Sequence, residues 1–124
     1  IQMCIQELST CLQYGLPIKI INLNNAALGM VRQWQDMQYG GRHSSSTYED
    51  SLPNFVALAE SYGHVGIKVE KFEDLESAMK ECFSLKDRLV FLDVDVDPNE
   101  HVYPMLEAGM AMKDMRLDKE LKTW

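Results

Sequence analysis

The stretch Ile18-Lys19-Ile20-Ile21-Asn22-Leu23-Asn24-Asn25 is a short aliphatic run, interrupted only by Lys19 and Asn22 before it ends in two asparagines. A run of this length and composition is typical of a buried strand in a parallel sheet. Gly15 and Pro17 stand just before it and supply the stop signal of a preceding helix. The stretch therefore predicts a helix, a turn and a buried parallel strand in the first part of the chain.

Helical and strand patterns continue to alternate along the chain. The helical spacing of Cys4, Leu8, Cys11 and Leu12 predicts a helix that is already under way at residue 1. Further helices are predicted from Leu28 to about Gln38, from Pro53 to Gly63, and over Leu75 to Phe83, and further strands at Val65 to Val69 and Leu89 to Val96. Because helices separate the strands, we predict an α/β fold, a parallel sheet with helices on both faces.

The length and the distribution of residue types bear on domain organisation. A chain of 124 residues supports one modest core. The segment after Val96 has little periodicity and holds four of the eight methionines, which are Met105, Met110, Met112 and Met115. We therefore predict an α/β domain over residues 1–96. Over residues 97–124 we predict a C-terminal tail that docks on another surface rather than forming a core element.

The charge and hydropathy of the chain exclude two classes of partner. The formal net charge is -7, with 19 acidic against 12 basic residues, whereas phosphate contacts need clustered Lys and Arg. No stretch approaches the roughly 20 apolar residues of a membrane span, and Ile1 to Leu12 lacks the basic leader of a signal peptide. We expect neither a nucleic-acid nor a membrane partner.

The cysteines and histidines do not suggest a metal or redox centre. The cysteines lack CxxC spacing and fall in helical apolar patterns, which predicts buried free thiols in a reducing, cytoplasmic compartment; they are Cys4, Cys11 and Cys82. The histidines stand singly, without the spacing of zinc ligands, and are His43, His64 and His101.

The residues that follow the first predicted strand are candidates for a ligand site, because ligands bind outside the carboxyl ends of parallel strands. An Asn25 side-chain oxygen and a nearby backbone carbonyl would suit Mg²⁺, and Gly29 would let a helix N-terminus approach an anion. By itself, however, an Asn-Asn pair more often forms only a turn. Met30, Val31 and Trp34 have the spacing of core residues, although an aromatic wall for a small substrate is also expected beside such a site.

Several blocks of the sequence resemble the catalytic subunits of acetohydroxyacid synthase (acetolactate synthase). The blocks lie in the same order as in that family and cover most of the chain; they are Ile1-Gln2-Met3, Gln6-Glu7-Leu8-Ser9-Thr10, Asn24-Asn25, Leu28-Gly29-Met30-Val31-Arg32-Gln33-Trp34-Gln35, Leu52-Pro53-Asn54-Phe55, Leu58-Ala59-Glu60-Ser61-Tyr62-Gly63 and Glu100-His101-Val102-Tyr103-Pro104-Met105. The resemblance implies the thiamine-diphosphate-binding fold, N-terminally truncated, with the opening Gly-Asp half of the cofactor motif expected just before Ile1.

The resemblance also implies a role for each candidate residue. Asn25 would give Mg²⁺ its side-chain oxygen and Ala27 its backbone carbonyl. Asn25, Leu28, Gly29 and Met30 would bind thiamine diphosphate. Substrate-pocket positions would be Met30, Val31 and Trp34, with Trp34 favouring 2-ketobutyrate. No catalytic residue is expected in this fragment, because the glutamate that activates the cofactor and the FAD-binding domain belong to other parts of the family's full-length enzyme.

The activity implied by the resemblance is decarboxylation of pyruvate and ligation of the hydroxyethyl unit to a second 2-keto acid, pyruvate or 2-ketobutyrate, in branched-chain amino-acid biosynthesis. The implied assembly is a homodimer or higher oligomer with a regulatory small subunit, in the cytoplasm or in a eukaryotic plastid or mitochondrion. Two alternatives stay open: another thiamine-diphosphate carboligase or oxidase, and a non-enzymatic α/β assembly module. Val31 stands where decarboxylase relatives place a protonating glutamate, which favours carboligation.

Overall fold

The computed structural model describes residues 1–48 and 50–117, which divide into two compact units. Of the described residues, the first unit contains 1–25 and 50–96, and the second contains 26–48 and 97–117. The elements, in chain order, are a 3-10 turn at Gln2–Cys4, α1 (Glu7–Gln13), β1 (Lys19–Asn24), α2 (Gly29–Gln38), α3 (Phe55–Ser61), β2 (Val65–Val69), α4 (Phe72–Ser84), β3 (Val90–Asp95) and a 3-10 turn at Met112–Asp114.

The first unit is built on a three-stranded sheet with the order β1-β3-β2. Both pairings are parallel, and Leu92 of the central strand lies in register with Ile21 on one side and Ile67 on the other. Strand β2 has the predicted bounds, and the other two begin and end within two residues of the prediction. The predicted parallel sheet is therefore confirmed.

The alternation of side chains along β3 places a separate apolar cluster on each face of the sheet. Val90, Leu92 and Val94 pack with α4 residues on one face. Leu89 and Phe91 pack on the other face with residues of α1 and α3, namely Leu8, Phe55 and Ala59. The Phe55 and Phe91 rings are stacked with centroids 5.8 Å apart. Helices therefore cover both faces, as predicted, and truncation of a fully buried ring such as Phe91 would cost about 3–5 kcal/mol.

Helix α3 begins two residues later than the predicted start at Pro53. Asn54 is the N-cap residue, and its Oδ1 accepts the Ala57 N–H at 2.9 Å. The helix then lies very close to β2: a Cβ added at Gly66 would stand 2.8 Å from the Cα and carbonyl oxygen of Val56. A glycine at this position is what allows α3 to approach the sheet so closely.

The prediction for the first residues is wrong in part. A 3-10 turn occupies Gln2–Cys4, and the α-helix begins only at Glu7. Cys4 is exposed, contrary to the prediction of a buried thiol, because its short turn is not covered by the described residues. Cys11 is half-buried, and only Cys82 is fully buried. Burial raises the pKa of the Cys82 thiol.

The second unit consists of residues 26–48, which contain α2, and of residues 97–117, the C-terminal segment, which contains the 3-10 turn at Met112–Asp114. Two isolated antiparallel bridges, Ala27 with Thr47 and Met105 with Arg116, supplement these elements. The division into a domain over 1–96 and a tail over 97–124 stays a prediction, and residues 118–124 of that tail lie outside the described residues. None of the described helices is long and apolar enough to cross a membrane.

Candidate functional site

The carboxyl end of the sheet carries a polar cluster in the first unit. Asp93 of β3 is almost fully buried. Its carboxylate accepts from Asn22 Nδ2 at 2.6 Å and from Lys68 Nζ at 2.9 Å, while Lys68 also pairs with Asp95. Burial alone would lower the pKa of Lys68, but hydrogen bonds to Asp95 and Asp93 outweigh it and raise that pKa. A buried carboxylate is thus compensated by donors on both neighbouring strands.

A cleft of about 520 Å³ opens beside this cluster. Its walls come from the ends of the strands and from the residues leading into α3, and they are Asn24, Leu52, Pro53, Asn54, Phe55, Val56, Lys68, Glu70 and Asp93. The cleft lies at the carboxyl edge of a parallel sheet, where ligands of open α/β folds bind. The sequence pattern indicated the acids at the end of β3 but not their pairing with Lys68.

Asn25 directly follows β1 and is half-buried. The next residue, Ala26, has φ of 51°, the left-handed region that residues other than glycine seldom adopt. Strained backbone of this kind persists only where the surrounding structure enforces it, and it is enriched at ligand sites. Asn25 therefore lies at the end of a parallel strand, where the sequence pattern placed it, and the structure adds the unusual backbone conformation beside it.

Ala27 belongs to the second unit and lies in a short antiparallel bridge. The Leu28 N–H donates to Ser46 O at 2.8 Å, and the Tyr48 N–H donates to Ala26 O at 2.9 Å. In this pattern the bonds flank Ala27, so its carbonyl points away from the segment with which it pairs. An amide oxygen of Asn25 and a carbonyl of Ala27 are hard oxygen donors, the type that Mg²⁺ prefers.

The N-terminus of α2 has no side-chain cap. Leu28 is the N-cap residue, and the first turn holds no acidic residue. The first N–H groups of a helix have no intrahelical partner and carry the positive end of its dipole. This end of α2, which begins at Gly29, therefore suits an anionic group such as a diphosphate.

The three candidate pocket residues share one side of α2. Met30 and Val31 are 49% and 46% exposed, and Trp34 is half-buried. A core stripe would be buried, yet the buried residue of α2 is Gln33. The exposure therefore disfavours the core interpretation of Met30 and Val31 and leaves an apolar face at the start of the helix.

Gln33 joins α2 to the C-terminal segment. Its Nε2 donates to Val102 O at 2.9 Å, and its Oε1 accepts the Val102 N–H at 2.8 Å. The sulfur of Met105 also contacts Nε2. Sequence reasoning did not single out this glutamine, because its partner lies 69 residues away along the chain.

Asp36, one turn after Gln33, contacts two of the histidines that the sequence showed as isolated. Its Oδ1 lies 2.6 Å from His43 Nε2, and its Oδ2 lies 3.0 Å from His101 Nε2. Arg32 lies one turn earlier on α2 and donates to Asn99 Oδ1 at 2.8 Å. In the described part of the chain, no group of three or more His, Cys, Asp or Glu residues could hold a metal ion.

Comparison with known proteins shows to which of them the chain is similar. Residues 1–94 match the family described as "Thiamine pyrophosphate enzyme, C-terminal TPP binding domain". The chain is 61% identical over 119 residues to the acetolactate synthase large subunit of Haemophilus influenzae, covering 96% of this chain and 21% of that protein. It is 58% identical over 125 residues to the acetolactate synthase isozyme 3 large subunit of Escherichia coli, covering 99% and 22%.

The fold of this chain is similar to that of a solved structure. The thiamine diphosphate-dependent 4-hydroxybenzoylformate decarboxylase of Rhodococcus jostii RHA1 matches with a TM-score of 0.66 and 30% sequence identity, over 75% of this chain and 17% of that one. The chain spans about a fifth of the length of the curated relatives that it matches. With a family match over residues 1–94, a parallel sheet and polar residues at its carboxyl edge, the chain belongs to the C-terminal thiamine-pyrophosphate-binding domains of thiamine pyrophosphate enzymes.

Proposed function

We propose that this chain is the cofactor-binding C-terminal part of an acetolactate synthase. The complete protein would decarboxylate pyruvate and join the remaining two-carbon unit to the carbonyl carbon of a second 2-keto acid, pyruvate or 2-ketobutyrate. The names and high identity of the relatives support the reaction class. The structural observation that carries the proposal is the exposed apolar face of Met30 and Val31, because it adjoins the uncapped N-terminus of α2.

The residues present fit the expected cofactor. Asn25 and Ala27 would supply oxygen ligands to Mg²⁺. Leu28, Gly29 and Met30, with Asn25, would hold thiamine diphosphate, whose diphosphate suits the positive end of α2. When bound, this cofactor supplies the carbanion chemistry of the reaction. We assign the FAD of the family to the part of the complete protein beyond this domain.

The pocket residues would select the fate of the two-carbon unit. Val31 has no acidic proton to donate, so this position of α2 does not supply the proton that release of an aldehyde requires. Met30 and Trp34 would exclude water and present apolar surface to the side chain of the second keto acid. These properties support carboligation over simple decarboxylation.

We infer the assembly from the relatives. A relative named as a large subunit implies a small one, so we propose a regulatory small subunit as a partner. From the family resemblance we also propose a homodimer or higher oligomer. We propose a cytoplasmic location, or a plastid or mitochondrion if the source is eukaryotic. The formal net charge of -7 does not favour a nucleic-acid partner, and we propose neither a nucleic-acid nor a membrane partner.

The proposal is tested with the complete subunit, pyruvate, Mg²⁺ and thiamine diphosphate. Acetolactate as the main product is expected, and Asn25→Ala should raise the Mg²⁺ concentration for half-maximal activity without changing the product. Acetaldehyde as the main product would instead indicate a decarboxylase. No turnover of 2-keto acids by the complete protein would favour the assembly-module alternative.

A further inference from the structure

Polar side chains of α2, rather than an apolar stripe, hold the helix within the second unit, and Gln33 is the buried one. Gln33 is only 1% exposed, whereas Met30 and Val31, on the first turn, are about half exposed. Half-exposed side chains contribute little to fixing a helix about its own axis. The buried amide therefore joins this part of α2 to the segment that contains Val102, beside the Arg32 bond to Asn99 and the Asp36 contact with His101.

The geometry of this contact restricts rotation as well as distance. The Gln33 amide donates to the carbonyl of Val102 and accepts from the N–H of the same residue, at 2.9 and 2.8 Å. Two antiparallel bonds to one residue fix the plane of the amide, and the buried Gln33 amide would lose both partners if α2 turned. The pairing thus contributes a buried, directional restraint on the angle of α2 around its axis.

This angle determines where the apolar face points. With side chains about 5–6 Å from the helix axis, a turn of about 20° would displace the Trp34 side chain by about 2 Å. Displacements of about 1 Å can cost on the order of 100-fold in reactions that need precise positioning. We propose that Gln33 is a positioning residue for the selection of the second substrate. It holds the face formed by Met30, Val31 and Trp34 toward the second keto acid.

This inference rests on the proposed function, and its test uses the complete subunit with mixed pyruvate and 2-ketobutyrate. Gln33→Met keeps the volume and removes both hydrogen bonds. We expect the ratio of acetohydroxybutyrate to acetolactate to fall roughly 10-fold, the lower end of what one methylene is worth in an apolar pocket. Turnover with pyruvate alone should change much less. Gln13→Met is the matched control, at the exposed end of α1, and should leave the ratio unchanged.

A second variant covers the case in which Gln33→Met does not fold. A protonated glutamate can donate to and accept from Val102 as the glutamine does, but an ionised one cannot donate. Burial raises the pKa of a carboxyl group, so Gln33→Glu should keep the wild-type ratio at low pH and lose it as the pH rises. Arg32, Asp36 and His101 are the other charged or titratable groups near this contact. The wild type and Gln13→Glu, measured at the same pH values, account for their titration.

The outcomes separate the two proposals. A wild-type protein that forms no acetolactate would refute the proposed function. A wild-type protein that forms it, with folded Gln33 variants that keep its product ratio at every pH, would refute the positioning role alone. A fall in thermal stability without a change in ratio would show that Gln33 is only structural.

Discussion

The ring of His101 lies against the carboxylate of Asp36, with Nε2 3.0 Å from Oδ2, and so joins the C-terminal segment to α2. The other oxygen of the same carboxylate contacts His43, in the loop that follows the helix. One side chain on α2 therefore holds two segments that are far apart in sequence. An aspartate can do this because its two oxygens accept independently.

Asp36→Asn should loosen both segments, because an amide has one acceptor oxygen where the carboxylate has two. A hydrogen bond to a charged group contributes about 1.5–3 kcal/mol, so local opening should become roughly 10-fold more frequent or more. The measurement is the rate of tryptic cleavage after Arg42, which follows the loop glycines. Glu73→Gln, on the exposed start of α4, is the control and should cleave at the wild-type rate. Equal rates in all three proteins would contradict the assignment.

Trp34→Leu should change the selection of the second substrate more than it changes the turnover rate. An indole can cover the extra methyl of 2-ketobutyrate, and one methylene in an apolar pocket is worth roughly 1–3 kcal/mol, or about 10- to 200-fold. We expect the preference for 2-ketobutyrate over pyruvate as second substrate to fall within that range, while turnover with pyruvate alone changes less. The measurement is the product ratio from mixed keto acids in the complete subunit, together with the melting temperature. A wild-type ratio with collapsed stability would show that Trp34 is packing.

Gly66→Ala should destabilise the first unit. The added Cβ would stand 2.8 Å from the backbone of Val56, which cannot move aside as a flexible side chain could. Overpacking of this kind costs typically about 1–3 kcal/mol. Thermal unfolding of the purified protein measures the effect, and Lys80→Ala on the exposed face of α4 serves as the control. A melting temperature equal to the wild type would mean that α3 shifts at no cost.

The 124-residue chain by itself should form no acetolactate, because the chain spans about a fifth of the length of its synthase relatives. The family resemblance places the activating glutamate outside it. Incubation of the purified chain with pyruvate, Mg²⁺ and thiamine diphosphate tests this, and the complete subunit provides the positive control. Acetolactate formed by the chain alone would contradict this prediction.

The isolated chain should also self-associate. Its first unit leaves large apolar side chains in solvent, among them Met3 at 93%, Tyr14 at 69% and Leu23 at 68% exposure. Apolar surface of this extent is characteristic of interaction sites. Light scattering at micromolar concentration should therefore report a mass above that of a monomer, and a clean monomer would contradict the expectation.

Periodicity predicted the regular elements of the first unit well. Val65–Val69 is a strand with the predicted bounds, and the aliphatic run after Pro17 is the edge strand β1. These elements bury apolar side chains at fixed spacing, so the local sequence carries the information. The pattern failed over Gln2–Cys4, where apolar residues have helical spacing but stay exposed in a 3-10 turn.

A local sequence pattern could not predict the contacts within the second unit. Gln33 and Val102, like Asp36 and His101, are more than sixty residues apart, and polar pairs have no periodic signature. Spacing alone favoured Met30, Val31 and Trp34 as core, whereas the structure buries Gln33 instead. The metal and cofactor roles of Asn25, Ala27, Leu28 and Gly29 came from family resemblance and stay predictions.

The sheet order β1-β3-β2 has a consequence for synthesis on the ribosome. Among the described strands, β1 and β2 do not pair with each other; both pair with β3, which is the last of the three to be made. While residues 19–69 are emerging, β3 is not yet available to pair with either strand, and long-range parallel pairing is slow to form. The sheet thus cannot form until Val90–Asp95 has left the exit tunnel, and because unpaired strand edges favour aggregation, the folding yield should depend on protection by chaperones during that interval.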